Sequence, residues 1–184
     1  MRFTMTLAAL AACFTMSAPA PGQAQTATPA VTPVASIDTG ETLNGSVTGL
    51  PLPRFVSMKA AEGFARRGPS STHRIDWVFK RRHMPLVVTD EYGHWRRVQD
   101  RDGAGGWMHY SLLSGNRTVI VEQDDLHLRR SASADARVIA RLQAGVVAWL
   151  GECHDGWCAL DVRGTEGWAP ISALWGVEPD EARD

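Results

Sequence analysis

Four short motifs occur twice in the same order, 61 to 63 residues apart, and no other feature limits the possible folds as much. Gly93-His94-Trp95-Arg96-Arg97-Val98 returns as Gly156-Trp157-Cys158-Ala159-Leu160. Gly105-Gly106-Trp107-Met108 returns as Glu166-Gly167-Trp168-Ala169, and Ser111-Leu112-Leu113-Ser114-Gly115 as Ser172-Ala173-Leu174-Trp175-Gly176. Upstream, Arg66-Arg67-Gly68-Pro69 matches Arg129-Arg130-Ser131-Ala132. A period of this length marks one supersecondary unit per repeat, so the chain divides into two small units, residues 54–115 and 116–177.

Each unit reads as short strands. Trp77-Val78-Phe79, Pro85 to Thr89 and Trp95 to Val98 are β-rich runs bounded by turn residues, and Val138 to Leu142, Val146 to Leu150 and Trp157 to Val162 are their counterparts. Asp100-Arg101-Asp102-Gly103 and Arg163-Gly164-Thr165-Glu166-Gly167 supply tight-turn chemistry. No window holds a helical period over three turns. So short a unit cannot supply the two sheets of a sandwich, which leaves an all-β fold of two small barrels. Such barrels have marginal cores. The connection Ser114 to Thr118 is too short for independent tumbling, so the pair is expected to be rigid.

These motifs resemble the bacterial Src-homology-3-like (SH3-like) domain family, in two tandem copies covering nearly everything after the N-terminal segment. The family pattern is an arginine loop with Gly-Pro, a Gly-x-Trp hairpin and a terminal Gly-Trp strand. The resemblance implies two five-stranded open barrels, with a 3₁₀ turn near Ser111–Leu113 and Ser172–Leu174. It also implies a role in binding, because family members are often wall-targeting modules. Ser131-Ala132 stands where the first copy has Gly68-Pro69, which weakens any ligand role for the second arginine loop.

Met1-Arg2 followed by an apolar run to Met16 reads as a signal peptide over residues 1–24, cleaved after Ala24 or, as a second choice, Ala20. Leu10-Ala11-Ala12-Cys13 also resembles a lipoprotein box, which would make the protein lipid-anchored through Cys13. Either way the expected location is periplasmic or secreted. No other apolar stretch is long enough for a transmembrane segment. Residues 25–53, rich in Ala, Thr, Pro, Gly and Ser, read as a flexible linker, and residues 178–184 as an acidic tail. In an exported chain the remaining pair, Cys153 and Cys158, reads as a disulfide. A zinc site lacks two further ligands, and the spacing is not that of a redox Cys-x-x-Cys.

Catalytic signatures are absent: there is no Gly-x-Ser-x-Gly and no His-Glu-x-x-His, so the expectation is a binding protein that is no enzyme, with no cofactor and no metal. Charge is unevenly spread. Residues 54–115 carry eleven Lys and Arg against six Asp and Glu, whereas residues 116–177 carry six against eight. The basic residues of the first unit, Arg66, Arg67, Lys80, Arg81, Arg82 and Arg96, together with Trp77 and Trp95, are the candidate binding residues. Arginine forks suit carboxylates and phosphates, so the candidate ligand is peptidoglycan or another anionic envelope component. An exported protein partner is the alternative, and a metal- or thiol-dependent enzyme the least favoured reading. Nucleic acid is excluded by the modest charge. Trp95, Trp107, Trp157 and Trp168 are equivalent between the units and read as packing residues. Trp77, Trp149 and Trp175 have no aromatic counterpart and read as a ligand face or a contact between the barrels.

Overall fold

The computed structural model describes residues 43–179 and 181. The signal segment, Cys13 and residues 25–42 of the linker lie outside the described residues. A two-stranded hairpin, β1 (Leu43–Asn44) and β2 (Pro51–Leu52), precedes the first barrel. That barrel comprises β3 (Arg54–Met58), β4 (Gly63–Arg66), β5 (Ile75–Phe79), β6 (Pro85–Tyr92), β7 (Trp95–Gln99), β8 (Gly105–His109) and β9 (Leu113–Ser114). The second comprises β10 (Thr118–Val121), β11 (Leu126–Arg129), β12 (Val138–Leu142), β13 (Val147–His154), β14 (Trp157–Val162), β15 (Thr165–Pro170) and β16 (Leu174–Trp175).

The strand orders are β5-β4-β8-β7-β6-β3-β9 and β12-β11-β15-β14-β13-β10-β16, so one topology is used twice. Hydrogen bonds outside the ladders repeat too: Met58 N–H donates to the Met84 carbonyl as Val121 does to Val146, and Arg67 to Arg74 as Arg130 does to Arg137. Each sheet has seven strands where the resemblance implies five. The two extra strands are β4 and β5, or β11 and β12, which are the arms of the arginine loop paired as a hairpin. The 3₁₀ turns span Tyr110–Leu112 and Ile171–Ala173, one residue earlier than expected.

Among the described residues, the buried apolar cluster of the first barrel numbers seven, Met58, Leu86, Val98 and Met108 among them, against fifteen in the second. The smaller core must be supplemented, and the sheet shows how. Bulges between Val88 and Asp90, and between Leu150 and Cys153, shift the register of the central strand. Beyond them, Glu91 faces Arg96 in the first barrel as Cys153 faces Cys158 in the second. The two cysteines form a disulfide with Cα atoms 4.1 Å apart. An ion pair and a disulfide therefore occupy the same cross-strand position. Closing so short a loop contributes about 2 kcal/mol at most, because the hairpin already holds the ends together. Cys153→Ser/Cys158→Ser should lower the unfolding free energy by about that amount, measured by urea denaturation, with the m-value unchanged.

Residues 43–53 correct the linker assignment. They form an ordered hairpin rather than flexible chain, because a buried carboxylate gives their backbone a partner. The Val47 and Thr48 amides donate to Glu91 Oε2 at 3.1 and 2.8 Å, and the Thr48 hydroxyl to Oε1 at 2.7 Å. Within the acidic tail, Glu181 is held by Arg117, whose Nη1 and Nη2 donate to its carboxylate at 3.2 and 3.0 Å.

The barrels meet directly, and the described residues of both lie in one compact unit. The buried Thr118 hydroxyl lies 2.7 Å from Ser57 Oγ and donates to the His83 carbonyl, also at 2.7 Å. Trp175 meets Phe55 edge-on at 5.4 Å, and Trp149 stacks obliquely on His83 at 4.5 Å. These two unmatched tryptophans thus serve the contact between barrels. No helix of the described residues is long and apolar enough to cross a membrane.

Candidate functional site

The arginine loop of the first barrel projects beyond the core, and its outer arm, β5, is the edge strand of the sheet. An edge strand carries backbone donors and acceptors without ladder partners. Of its residues only Phe79 is buried; Ile75, Trp77 and Val78 are exposed, and Phe64, opposite Val78 on β4, is exposed as well. Trp77 is 46% exposed and touches Phe79 edge-on at 6.4 Å. The equivalent edge of the second barrel exposes Ile139 but has Ala140 in place of Trp77.

Basic side chains frame this apolar strip. Arg67 and Arg74 both donate to the Asp76 carboxylate, at 3.1 and 2.8 Å. The hydrogen bonds from Arg67 and then Arg74 hold the Asp76 carboxyl below the usual carboxylate range. Lys80, Arg81 and Arg82 follow β5 directly and are exposed. Arg81 also lines a small cavity with Arg141 and Arg163 of the second barrel.

The other sequence candidates do not join this face. Arg66 donates Nη1 to the His73 carbonyl at 2.7 Å, and Arg129 donates in the same way to Ala136 at 2.7 Å. The repeated arginine therefore closes its own loop in both barrels. Arg96 is buried; its Nη1 donates to the Gly93 and Trp95 carbonyls at 2.9 and 2.8 Å, and its Nε lies 3.4 Å from Glu91. Trp95 is half-buried on β7 and packs edge-on against His109. Trp107, Trp157 and Trp168 are half-buried too.

Glu91 is the most perturbed group of this barrel. Burial pushes its carboxyl up, but the Thr48 hydroxyl and amide, the Arg54 guanidinium and the Val47 amide outweigh that and lower it to about 2. Neither its hydrogen bonds to the N-terminal hairpin nor the importance of Arg54 and Arg117 follows from the repeat motifs. The signal that marks the two arginines is their own equivalence, 63 residues apart, Arg54 heading β3 and Arg117 immediately before β10.

A concavity of about 590 Å3 lies on the second barrel. Trp149, Trp168, Glu152, Asp161, Glu166 and Arg130 line it, so it is aromatic and acidic. A second cavity of about 400 Å3 reaches both Arg54 and Arg117. Among the described residues, no group of three or more His, Cys, Asp or Glu is placed to hold a metal ion.

The family model described as bacterial SH3 domain matches this sequence twice, over residues 59–115 and 122–176. No curated protein matches it. Two solved structures from Trichomonas vaginalis are similar at 12% identity and a TM-score of 0.31: NlpC2, over 67% of this chain and 48% of its own, and NlpC1, over 73% and 49%. This chain thus spans about half the length of each.

Proposed function

The chain belongs to the bacterial SH3 domain family, and from that premise we propose that it is an exported, non-catalytic binding module for peptidoglycan or another anionic component of the cell envelope. The ligand face is the edge of the first barrel. The observation that carries this is the exposed Trp77 on an edge strand flanked by Arg67, Arg74 and Lys80-Arg81-Arg82. Aromatic surface with guanidinium forks on its border suits a glycan or peptide bearing carboxylates or phosphates. Trp77 lies open, whereas its counterpart Ala140 offers no such surface, so the two barrels divide their roles.

Pull-down with purified sacculi tests the reading. The full chain should be retained at low salt and released as ionic strength rises, because the attraction is between exposed charges. Trp77→Ala combined with Arg81→Glu and Arg82→Glu should cut retention at least tenfold. No retention of the unaltered chain at low salt overturns the proposal.

A second reading, docking of another exported protein, is favoured by the acidic groove of the second barrel with its two tryptophans. Glu152→Lys with Glu166→Lys separates the two. If the first barrel holds the ligand, sacculus retention is unaffected. If the groove is the docking face, crosslinking in cells to a defined exported protein disappears.

A further inference from the structure

Residues opposite each other on paired strands point to the same face of a sheet, so the second barrel sets its outer side chains in rows. Trp149, Asp161 and Glu166 form one row across β13, β14 and β15. Ala159 and Trp168 are neighbours in the next row. Gly151 lies alongside on β13, where an added Cβ would stand 3.2 Å from that of Ala159. The two small residues floor the concavity of about 590 Å3, and the two tryptophans hold diagonally opposite corners of it. Asp161 and Glu166 are direct cross-strand neighbours; Cβ atoms in such pairs lie about 4.5–5.5 Å apart, and like charges so placed repel. Glu152 adds a third carboxylate to the wall and Arg130 a single guanidinium. Among the described residues, none of the three carboxylates is in an ion pair. One oxygen of Asp161 accepts from the Gly164 amide at 2.6 Å. Glu152 and Glu166 are exposed and Trp149 is 37% exposed, so the hollow is open to a ligand.

The first barrel shows what suits this place. Arg97 stands opposite Trp107 there as Ala159 stands opposite Trp168, and Gln99 and Gly105 hold the places of Asp161 and Glu166. The first copy thus carries its own arginine beside the tryptophan and needs no carboxylates. The second has a methyl group in place of that arginine and a pair of carboxylates one row away. We propose that the hollow binds the side chain of an arginine in a peptide segment, with the guanidinium over Ala159 between Trp149 and Trp168 and paired with Asp161 and Glu166. Indole faces attract a cation, and a guanidinium fork suits two carboxylate oxygens. This rests on the docking of an exported protein at the same groove and names the chemistry of what docks.

Titration of the isotope-labelled full chain with N-acetyl-glycyl-arginyl-glycine amide, and separately with the same peptide carrying citrulline for arginine, tests this by NMR. Citrulline keeps the shape and removes the charge. The arginine peptide should shift the Trp149 and Trp168 indole N–H resonances and the Ala159 amide saturably, and the citrulline peptide should not. Asp161→Asn with Glu166→Gln should weaken binding at least tenfold. Ala159→Arg, which copies the first barrel and supplies the cation from within, should do the same. No saturable shift with the arginine peptide, or equal shifts with citrulline, overturns the proposal without recourse to any variant. So does unchanged affinity in a folded Asp161→Asn/Glu166→Gln chain. Loss of the cellular crosslink in Glu152→Lys/Glu166→Lys without binding of the arginine peptide overturns the arginine site and leaves the docking face standing. Binding of the arginine peptide with the crosslink unchanged supports the arginine site and overturns docking of an exported protein there.

Discussion

Glu91→Gln should destabilise the protein by about 3–5 kcal/mol. That is the cost of breaking a buried ion pair from one side. The carboxylate takes hydrogen bonds from Val47, Thr48 and Arg54 and lies beside Arg96. A neutral amide cannot accept from all of them, and Arg54 and Arg96 are left as poorly compensated charges. The site has no slack for repacking, since a Cβ on Gly45 would already stand 2.5 Å from the Glu91 carboxylate. Urea denaturation reads the loss, and hydrogen exchange should show the Val47 and Thr48 amides losing protection first.

The same group sets the response to acid. Its pKa is about 2 in the folded protein against an ordinary value of 4.5. A folded pKa below the unfolded one means the stabilisation is complete above the unfolded value and drains away as pH falls through the folded one. The unfolding free energy should therefore fall by about 3 kcal/mol between roughly pH 5 and pH 2 through Glu91 alone. Glu91→Gln should flatten that part of the curve.

Gly106→Ala should be as damaging, on the order of 4 kcal/mol, from backbone strain and overpacking together. Gly106 has φ of +150°, and a Cβ there would stand 2.5 Å from the Arg66 carbonyl oxygen. Its neighbour Trp107 is paired with Arg66, the single register pair that joins the arginine loop to β8. A methyl group at that point pushes the loop off the sheet. Gly167 repeats the arrangement, its Cβ position lying 2.8 Å from the Arg129 carbonyl. Gly115→Ala is the control: nothing lies within 4 Å of the added atom, and its effect should stay within about 0.5 kcal/mol. Thermal unfolding of the two variants compares them directly.

Much of the fold was legible in the sequence because the barrel depends on local, repeated requirements. A glycine where two backbones nearly touch, a tryptophan opening β7 and β14, and paired cysteines each announce themselves in a short window. The disulfide belongs to this class, and the 3₁₀ turns follow from the family resemblance. What stayed hidden depends on partners far apart in the chain. Glu91 is bonded to residues 43 and 44 positions upstream, in a stretch whose composition suggests no structure. Arg96 lies in a basic run and looks like a surface charge, yet the bulge before Glu91 places this pair inside. The fates of Trp149 and Trp175 depend on how one barrel sits on the other, which periodicity does not encode.

The equivalence of Glu91–Arg96 with Cys153–Cys158 gives the twin barrels different failure modes. One clasp is covalent, indifferent to protons and opened by thiols. The other is ionic, indifferent to thiols and opened by protons. Reductant attacks the brace of the second copy and acid that of the first, so neither insult strips both hairpins at once.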